Sequence, residues 1–284
     1  MMTTNGYFRF QLGEFACLCL SDGSHDYPMQ TFFTNAPEAE LKAALHQYNL
    51  PTDYITTPYT NLVVDTDDRR VLVDLGAGAL APRTGKLLQN MHAAGIPPNS
   101  IDSVLITHAH PDHIGGMLND SGTLNYPNAA YYISKVEWDF WFSEHALQKA
   151  PEMFVTIARN SLKPVQERVH LIEQDQEIIP GIHTILAAGH TPGHMVIAFC
   201  SGNQYLLYTS DTVLHPLHLE HPDWLPIYDL LPEQAAASKH TVFNLAAERR
   251  ALVIGQHFHP FPSLGHVIRK GNGWHWLPVA DIEN

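Results

Sequence analysis

Residues 107–116 read Thr-His-Ala-His-Pro-Asp-His-Ile-Gly-Gly and follow directly on 101–106, a stretch that ends in the apolar run Val104-Leu105-Ile106. Three imidazoles and a carboxylate thus fall within the six positions 108–113, at the C-terminal end of a segment that reads as a buried strand. Neutral imidazole and carboxylate are the ligands that suit zinc and its first-row neighbours, and a catalytic site keeps one position open for water. In an extended or tightly turning segment His108 and His110 project to the same side. Asp112 and His113, beyond the proline, turn toward a second point. One short loop can therefore serve two adjacent ions. Functional side chains at the C-terminal ends of strands are an α/β arrangement. A solvated His-rich loop is the alternative in a chain with 19 histidines. It is outweighed because strand, turn and Gly-Gly follow in order.

Two metals need more ligands than one loop supplies, and later segments repeat the same grammar of strand, then ligand. The run 182–188 leads into Gly189-His190-Thr191-Pro192-Gly193-His194 and then the strand-like 195–199; either histidine is a candidate. Asp211 stands after the strand-like 205–210, where a carboxylate could bridge two cations. His257 and His259 follow the short apolar run 251–255. Any one of these residues alone is an ordinary polar residue at a strand end; four such segments together make the metal reading.

With these motifs in view (THAHPDHIGG at 107–116, GHTPGH at 189–194, Ser210-Asp211, and GQHFHPFPSLGH at 255–266), the chain resembles the metallo-β-lactamase superfamily, and within it the lactonase and methyl parathion hydrolase-like branch. FRFQLGEF at 8–15, Ser21-Asp22-Gly23, Thr60-Asn61, VDLGAG at 73–78 and His221-Pro222-Asp223-Trp224 extend the likeness over nearly the whole chain. The resemblance implies an α/β (α+β) fold, an αββα sandwich of two mixed β-sheets flanked by helices. It implies one domain over 1–284, with an N-terminal extension of about 1–60 capping the site or lying in a dimer contact. Two divalent ions are implied, zinc first, with manganese, cobalt or iron as alternatives. His108, His110 and His194 would hold one, and Asp112, His113 and His257 the other, with His259 as the alternative to His257 and Asp211 bridging. Asp74 and His190 would stand behind the ligands, and His266 near the substrate.

The implied chemistry is hydrolysis by a metal-bridging hydroxide, with Asp112 and Asp211 able to take the released proton. A lactone or ester is the expected substrate, with phosphotriesters as a further class. One departure bears on this: lactonases of the branch often carry a tyrosine three positions after the bridging aspartate, and here that position is Leu214, followed by His215. Glyoxalase II enzymes add a basic glutathione-binding part, whereas few lysines or arginines follow Asp211 here. Flavodiiron proteins place a glutamate where His110 stands. A mononuclear iron persulfide dioxygenase-like oxidoreductase and an inactive metal-binding scaffold are the alternative readings.

Composition sets the remaining bounds. A chain of 284 residues, 45% hydrophobic and 16% charged, can bury a large core in one domain. No apolar run is long enough to span a membrane and the opening residues lack a signal-peptide pattern, so a cytoplasmic enzyme is expected. Three cysteines, Cys17, Cys19 and Cys200, make no disulfide framework. The net charge of −13 disfavours nucleic acid. The expected partners are a small-molecule substrate and a second copy of the chain in a homodimer. Strands are expected at 62–65, 70–73, 104–106, 130–133, 182–186, 196–199, 205–208 and 252–254, and helices at 83–94, 136–149 and 232–249. Aromatic residues crowd 26–59 (Tyr27, Phe32, Tyr59) and 135–150 (Trp138, Phe140, Trp141, Phe142). Both regions are candidates for pocket walls or contact surfaces.

Overall fold

The computed structural model describes residues 6–279. The first sheet contains β1 (Tyr7–Leu12), β2 (Phe15–Pro28), β3 (Tyr54–Asp65), β4 (Arg70–Val73), β5 (Ser103–Leu105), β6 (Ala130–Ser134) and β7 (Val169–Ile172) in chain order. It is antiparallel from β1 to β4 and parallel from β4 to β7. The second contains β8 (Gln176–Ile179), β9 (Ile182–Leu186), β10 (Met195–Ser201), β11 (Gln204–Tyr208), β12 (Leu252–Ile254), β13 (Leu264–Lys270) and β14 (Gly273–Pro278), also in chain order. Its β11–β12 pair is parallel and the others antiparallel. Helices α1 (Met29–Phe32), α2 (Glu38–Gln47), α3 (Leu87–Ala93), α4 (Pro111–Ile114), α5 (Lys135–Phe142), α6 (Ala146–Lys149) and α7 (Glu152–Leu162) belong to the first half, and α8 (Leu217–Glu220) and α9 (Pro232–Arg249) to the second. The fold is the two-sheet, helix-flanked sandwich expected.

Side-chain alternation explains the layers. Leu18, Leu20, Val63 and Leu72 face outward to Leu87, Met91 and Trp141, while Cys17, Cys19, Leu62, Val64 and Val73 face the second sheet at Ile197, Phe199, Leu206 and Tyr208. Strands buried on both faces read as near-continuous apolar runs, which is why they were legible. The second sheet's outer face packs on α9 through Val242, Phe243 and Trp274. A fourth cluster joins Met29, Phe32, Phe33 and Leu45 to Leu214, Leu217 and Trp224. Thus residues 7–28 lie within the first sheet, and the part of the N-terminal region that leaves it is α1–α2, packed against α8. Cys17, Cys19 and Cys200 are free thiols.

Each expected strand is present, and the helix from Pro232 to Arg249 matches its expected bounds. The expected helix 136–149 divides into α5 and α6. Ser143 is extended, and the Arg159 guanidinium takes the carbonyls of Trp141 and Ser143 at 2.8 Å each, so these oxygens do not continue a helix. The expected helix 83–94 shortens to start at Leu87, because the buried Asp22 carboxylate accepts the N–H groups of Ala77, Gly85 and Leu87 and fixes the preceding turn. Among the described residues no helix is long and apolar enough to cross a membrane.

Candidate metal centre

Four chain segments converge where the strands of both sheets end. From the first sheet, the loop after β5 carries His108 and His110, and the single turn α4 carries Asp112 and His113. From the second sheet come the turn between β9 and β10, with His190 and His194, Asp211 just after β11, and His257 after β12. Two groups of potential ligand atoms result, each within 4.8 Å: His108, His110, His190 and Asp211; and Asp112, His113, Asp211 and His257.

Asp211 belongs to both groups. Oδ1 lies 3.3 Å from His113 Nε2, Oδ2 lies 3.3 Å from His190 Nε2 and 3.9 Å from His108 Nε2, and His257 Nε2 stands beside both oxygens, 3.2 Å from Oδ1 and 3.3 Å from Oδ2. His257 Nε2 also stands 3.4 Å from Asp112 Oδ2.

The imidazoles are oriented from behind. His113 Nδ1–H donates to Asp74 Oδ2 at 2.8 Å, His257 Nδ1–H to the Pro58 carbonyl at 3.2 Å, His190 Nδ1–H to Asp229 Oδ1 at 3.0 Å, and His194 Nδ1–H to the Ala187 carbonyl at 3.2 Å. A neutral ring that donates from Nδ1 presents a lone pair at Nε2, and here each Nε2 faces Asp211 or its backbone N–H. Buried His108 Nε2 and Asp211 Oδ1 have no hydrogen-bond partner among the described residues. Orphaned donor atoms in a sealed, carboxylate-centred cluster fit divalent cations.

Asp74 holds the Thr107 segment as well as one ring. At the end of β4, in left-handed backbone with φ of 57°, it accepts His113 Nδ1–H, the Thr107 N–H and the Thr107 hydroxyl, the latter two at 2.8 Å each. Asp74 thus sits on the side of the His113 ring away from Asp211. His194 is placed differently from His190. Its Nε2 accepts the Asp211 backbone N–H at 3.2 Å, whereas His190 Nε2 meets the Asp211 side chain and lies 2.8 Å from His110 Nδ1. The clustered group therefore contains His190, the residue expected behind the ligands, and His194 adjoins it. His259 turns away from the centre and lines a different cavity. His266 was expected on a loop beside the substrate; it lies in β13 with its ring bonded to the Ala251 carbonyl, because the strand pairs with β14 from Gly265 onward.

Two buried residues escaped the sequence reading. Glu137, in α5, accepts the Ala109 N–H and Trp141 Nε1–H on one oxygen and the Thr191 hydroxyl and Gly193 N–H on the other, at 2.6–3.0 Å. It ties the 107–113 loop to the 189–194 turn. Gln256 accepts the Tyr208 hydroxyl and sets its amide 3.2 Å from His113 Nε2. A glutamate in an aromatic helix and a glutamine beside a histidine carry no motif; only the partners reveal them.

Charge is shared unevenly across the cluster. Burial disfavours the protonated form of every histidine here. For His108 and His110 burial prevails, reinforced by neighbouring imidazoles, and both are held well below the usual range. His113 and His257 are raised despite burial, by Asp211 and Asp112. His190, between Asp211 and Asp229, is raised to about 9 against burial. Asp211 is held well below the carboxylate range, since His257 and His113 outweigh its desolvation. The sign follows: protons on raised histidines stabilise the metal-free chain below pH 6.5, and this contribution is lost as pH rises toward about 9. Metal must displace those protons, so its stabilisation should grow with pH. The Tm gained on adding excess zinc is expected to be larger at pH 8.5 than at pH 6.5; an equal or smaller gain would contradict the charge assignment.

The centre opens into a narrow cavity of about 60 Å³ walled by Tyr27, Phe32, Leu80, Phe154, Leu214 and Tyr228. The Tyr27 and Tyr59 hydroxyls are hydrogen-bonded to each other, and the Tyr59 ring packs edge-on against His257 with centroids 5.2 Å apart.

A two-sheet sandwich with carboxylate–histidine clusters at the shared strand ends is the architecture of a superfamily of metal-dependent hydrolases. The family model of the metallo-beta-lactamase superfamily matches residues 57–257, and the chain belongs to that superfamily. Among solved structures, a dizinc quorum-quenching lactonase, AidC, in complex with a product N-hexanoyl-L-homoserine, is 32% identical with a TM-score of 0.89, covering 96% of this chain and 97% of that one. A hydrolase of the beta-lactamase superfamily, AbOPH, is 26% identical with a TM-score of 0.90 over 98% of both chains. An N-acyl homoserine lactonase of Bacillus thuringiensis is 21% identical over 73% of this chain and 84% of its own length. The match to a beta-lactamase-like protein 2 homolog of Drosophila melanogaster, 26% identical, takes in 54% of this chain and spans about half of that relative's length, 46%.

Proposed function

We propose that the chain is a dinuclear metal-dependent hydrolase of lactones or esters, with phosphotriesters as a secondary class. The observation that carries this reading is that Asp211 belongs to both ligand groups, which suits a carboxylate shared by two ions. His108 and His110, with His194 or His190, would hold one ion, and Asp112, His113 and His257 the other. Two divalent cations there supply hydroxide at neutral pH and Lewis acidity for the acyl oxygen. The chain's own part is positional. Asp74, Asp229 and the Pro58 and Ala187 carbonyls orient the rings; Asp112, at the cavity floor, can take the proton released in the attack; and the apolar walls exclude bulk water from the acyl group. With Leu214 in place of a tyrosine, the phenols at the cavity are Tyr27 and Tyr228.

The substrate class is supported by the lactonase relative that matches over nearly the full chain and by the apolar slot, which favours a carbonyl compound with an apolar tail. The decisive measurement is kcat/KM for an acyl-homoserine lactone against an aryl phosphotriester on one metal-quantified preparation. A large ratio favouring the lactone is expected. A ratio below one would move the chain to phosphotriester hydrolysis, and metal-loaded protein inert to both would overturn the reading. For the first ion, His194→Ala and His190→Ala separate the two candidates. The ligand's loss should remove one equivalent of bound metal, whereas loss of the supporting ring should leave the stoichiometry and lower activity about 10–100-fold.

A further inference from the structure

A second cavity, of about 270 Å³, lies between the end of α2, the start of α8 and β14. Two strips of chain separate it from the metal centre. Leu214 faces the centre's cavity and His215 this one; His257 faces Asp211, while His259 lines this one. Its volume is close to the lower end of the about 300–1,000 Å³ range of small-molecule pockets.

The polar groups around it are few and their states are set. His215 is only 7% exposed, and its Nδ1 accepts the Leu217 N–H at 3.1 Å. A neutral ring that accepts at Nδ1 carries its proton on Nε2. Among the described residues that Nε2–H has no hydrogen-bond partner, nor is it a sealed orphan, so it opens on the cavity the ring lines. Burial, aided by His259, pushes His215 down to about 3, which keeps the ring uncharged at neutral pH. The Glu220 carboxylate is already engaged by the Tyr48 hydroxyl, by His275 Nδ1–H at 2.9 Å and by Lys270 Nζ at 2.8 Å. Leu50, Pro216, Leu217, Trp276 and Pro278 supply apolar wall.

We propose that this cavity binds a small neutral amphiphile: a short apolar chain bearing an amide or ester carbonyl that accepts the His215 Nε2–H. The walls argue for neutrality. A buried charge needs a partner, and the one carboxylate here is saturated while His215 is neutral, so an ionic head would be desolvated without compensation. A carbonyl needs one donor, and the His215 Nε2–H supplies one.

Hexanamide is the probe, with hexanoate of equal length as the charged comparison, titrated into the metal-loaded, ¹⁵N-histidine-labelled chain and followed at the through-bond-assigned His215 ring resonance. Saturable movement with hexanamide, with hexanoate at least tenfold weaker, is the expected result. Leu50→Trp, which fills the cavity from its half-buried rim, should weaken hexanamide at least tenfold while turnover at the metal centre stays within twofold. No movement of His215, equal binding of hexanoate, or unchanged hexanamide binding in a folded Leu50→Trp protein would each overturn the proposal. The hexanamide–hexanoate contrast stands on the unaltered chain alone.

Discussion

Asp211→Ala is expected to abolish turnover and to lower bound metal from two equivalents per chain to one or none, with the fold retained. Three imidazole nitrogens lie within 3.3 Å of this carboxylate, His113 at Oδ1, His190 at Oδ2 and His257 beside both. Removing it leaves each ligand group short of its only shared anion and takes away the charge that opposes the histidines. The loss of activity should therefore exceed the about 10–100-fold typical of removing a group behind a ligand. The fold should persist because the packing of both sheets rests on apolar side chains such as Leu62, Phe199 and Tyr208, not on this residue. Metal analysis, circular dichroism and turnover on one preparation decide the matter. Activity near that of the unaltered chain would sink the bridging role.

The second large effect is expected at Glu137, which touches no ligand atom of the proposed set. Each of its oxygens accepts two donors: Ala109 N–H and Trp141 Nε1–H on Oε1, Thr191 Oγ1–H and Gly193 N–H on Oε2. Glu137→Gln can satisfy one pair only, since an amide nitrogen turned toward the other pair sets donor against donor. A buried unsatisfied donor costs about 1–3 kcal/mol, so Glu137→Gln should lose about 2–5 kcal/mol in urea unfolding and Glu137→Ala more. Because three of the four donors, on Ala109, Thr191 and Gly193, belong to the two loops that carry His108, His110, His190 and His194, activity should fall further than the population of folded protein. Equal stability of the Gln variant and the unaltered chain would show the carboxylate to be dispensable.

What the sequence made legible follows from burial. Strands sandwiched between layers are apolar on both faces, so β5, β10 and β12 stood out, and the ligands stood out because each lies just past such a strand. β1 and β2 did not: β1 alternates Phe8, Phe10 and Leu12 with Arg9 and Gln11 but is a short strand at the sheet's edge, and in β2 the polar run from Ser21 to Asp26 breaks the apolar pattern. The histidines were legible as a set but not individually. His190 and His194 share one turn, and which of them meets the Asp211 side chain depends on how the turn is seated against Glu137 and Asp229, contacts 39 to 56 residues away that no local pattern encodes. His257 and His259 separate for a related reason. Gly255 and Gln256 put His257 against Asp112 and Asp211, and the chain then swings out toward β13. His266 misled because a motif-like loop was in fact the start of a strand.

Each sheet is woven from one continuous half of the polypeptide, β1–β7 before residue 173 and β8–β14 after residue 175. His108, His110, Asp112 and His113 belong to the first half; His190, His194, Asp211 and His257 to the second. A ribosome that has delivered only the first half has thus made every strand of one sheet, its inner apolar face still uncovered, with half a cage on its rim, and the cage closes only when the remainder arrives and docks. The same partition marks 173–175 as the natural place to cut the gene in two, and makes captured metal a reporter of whether the pieces have found each other.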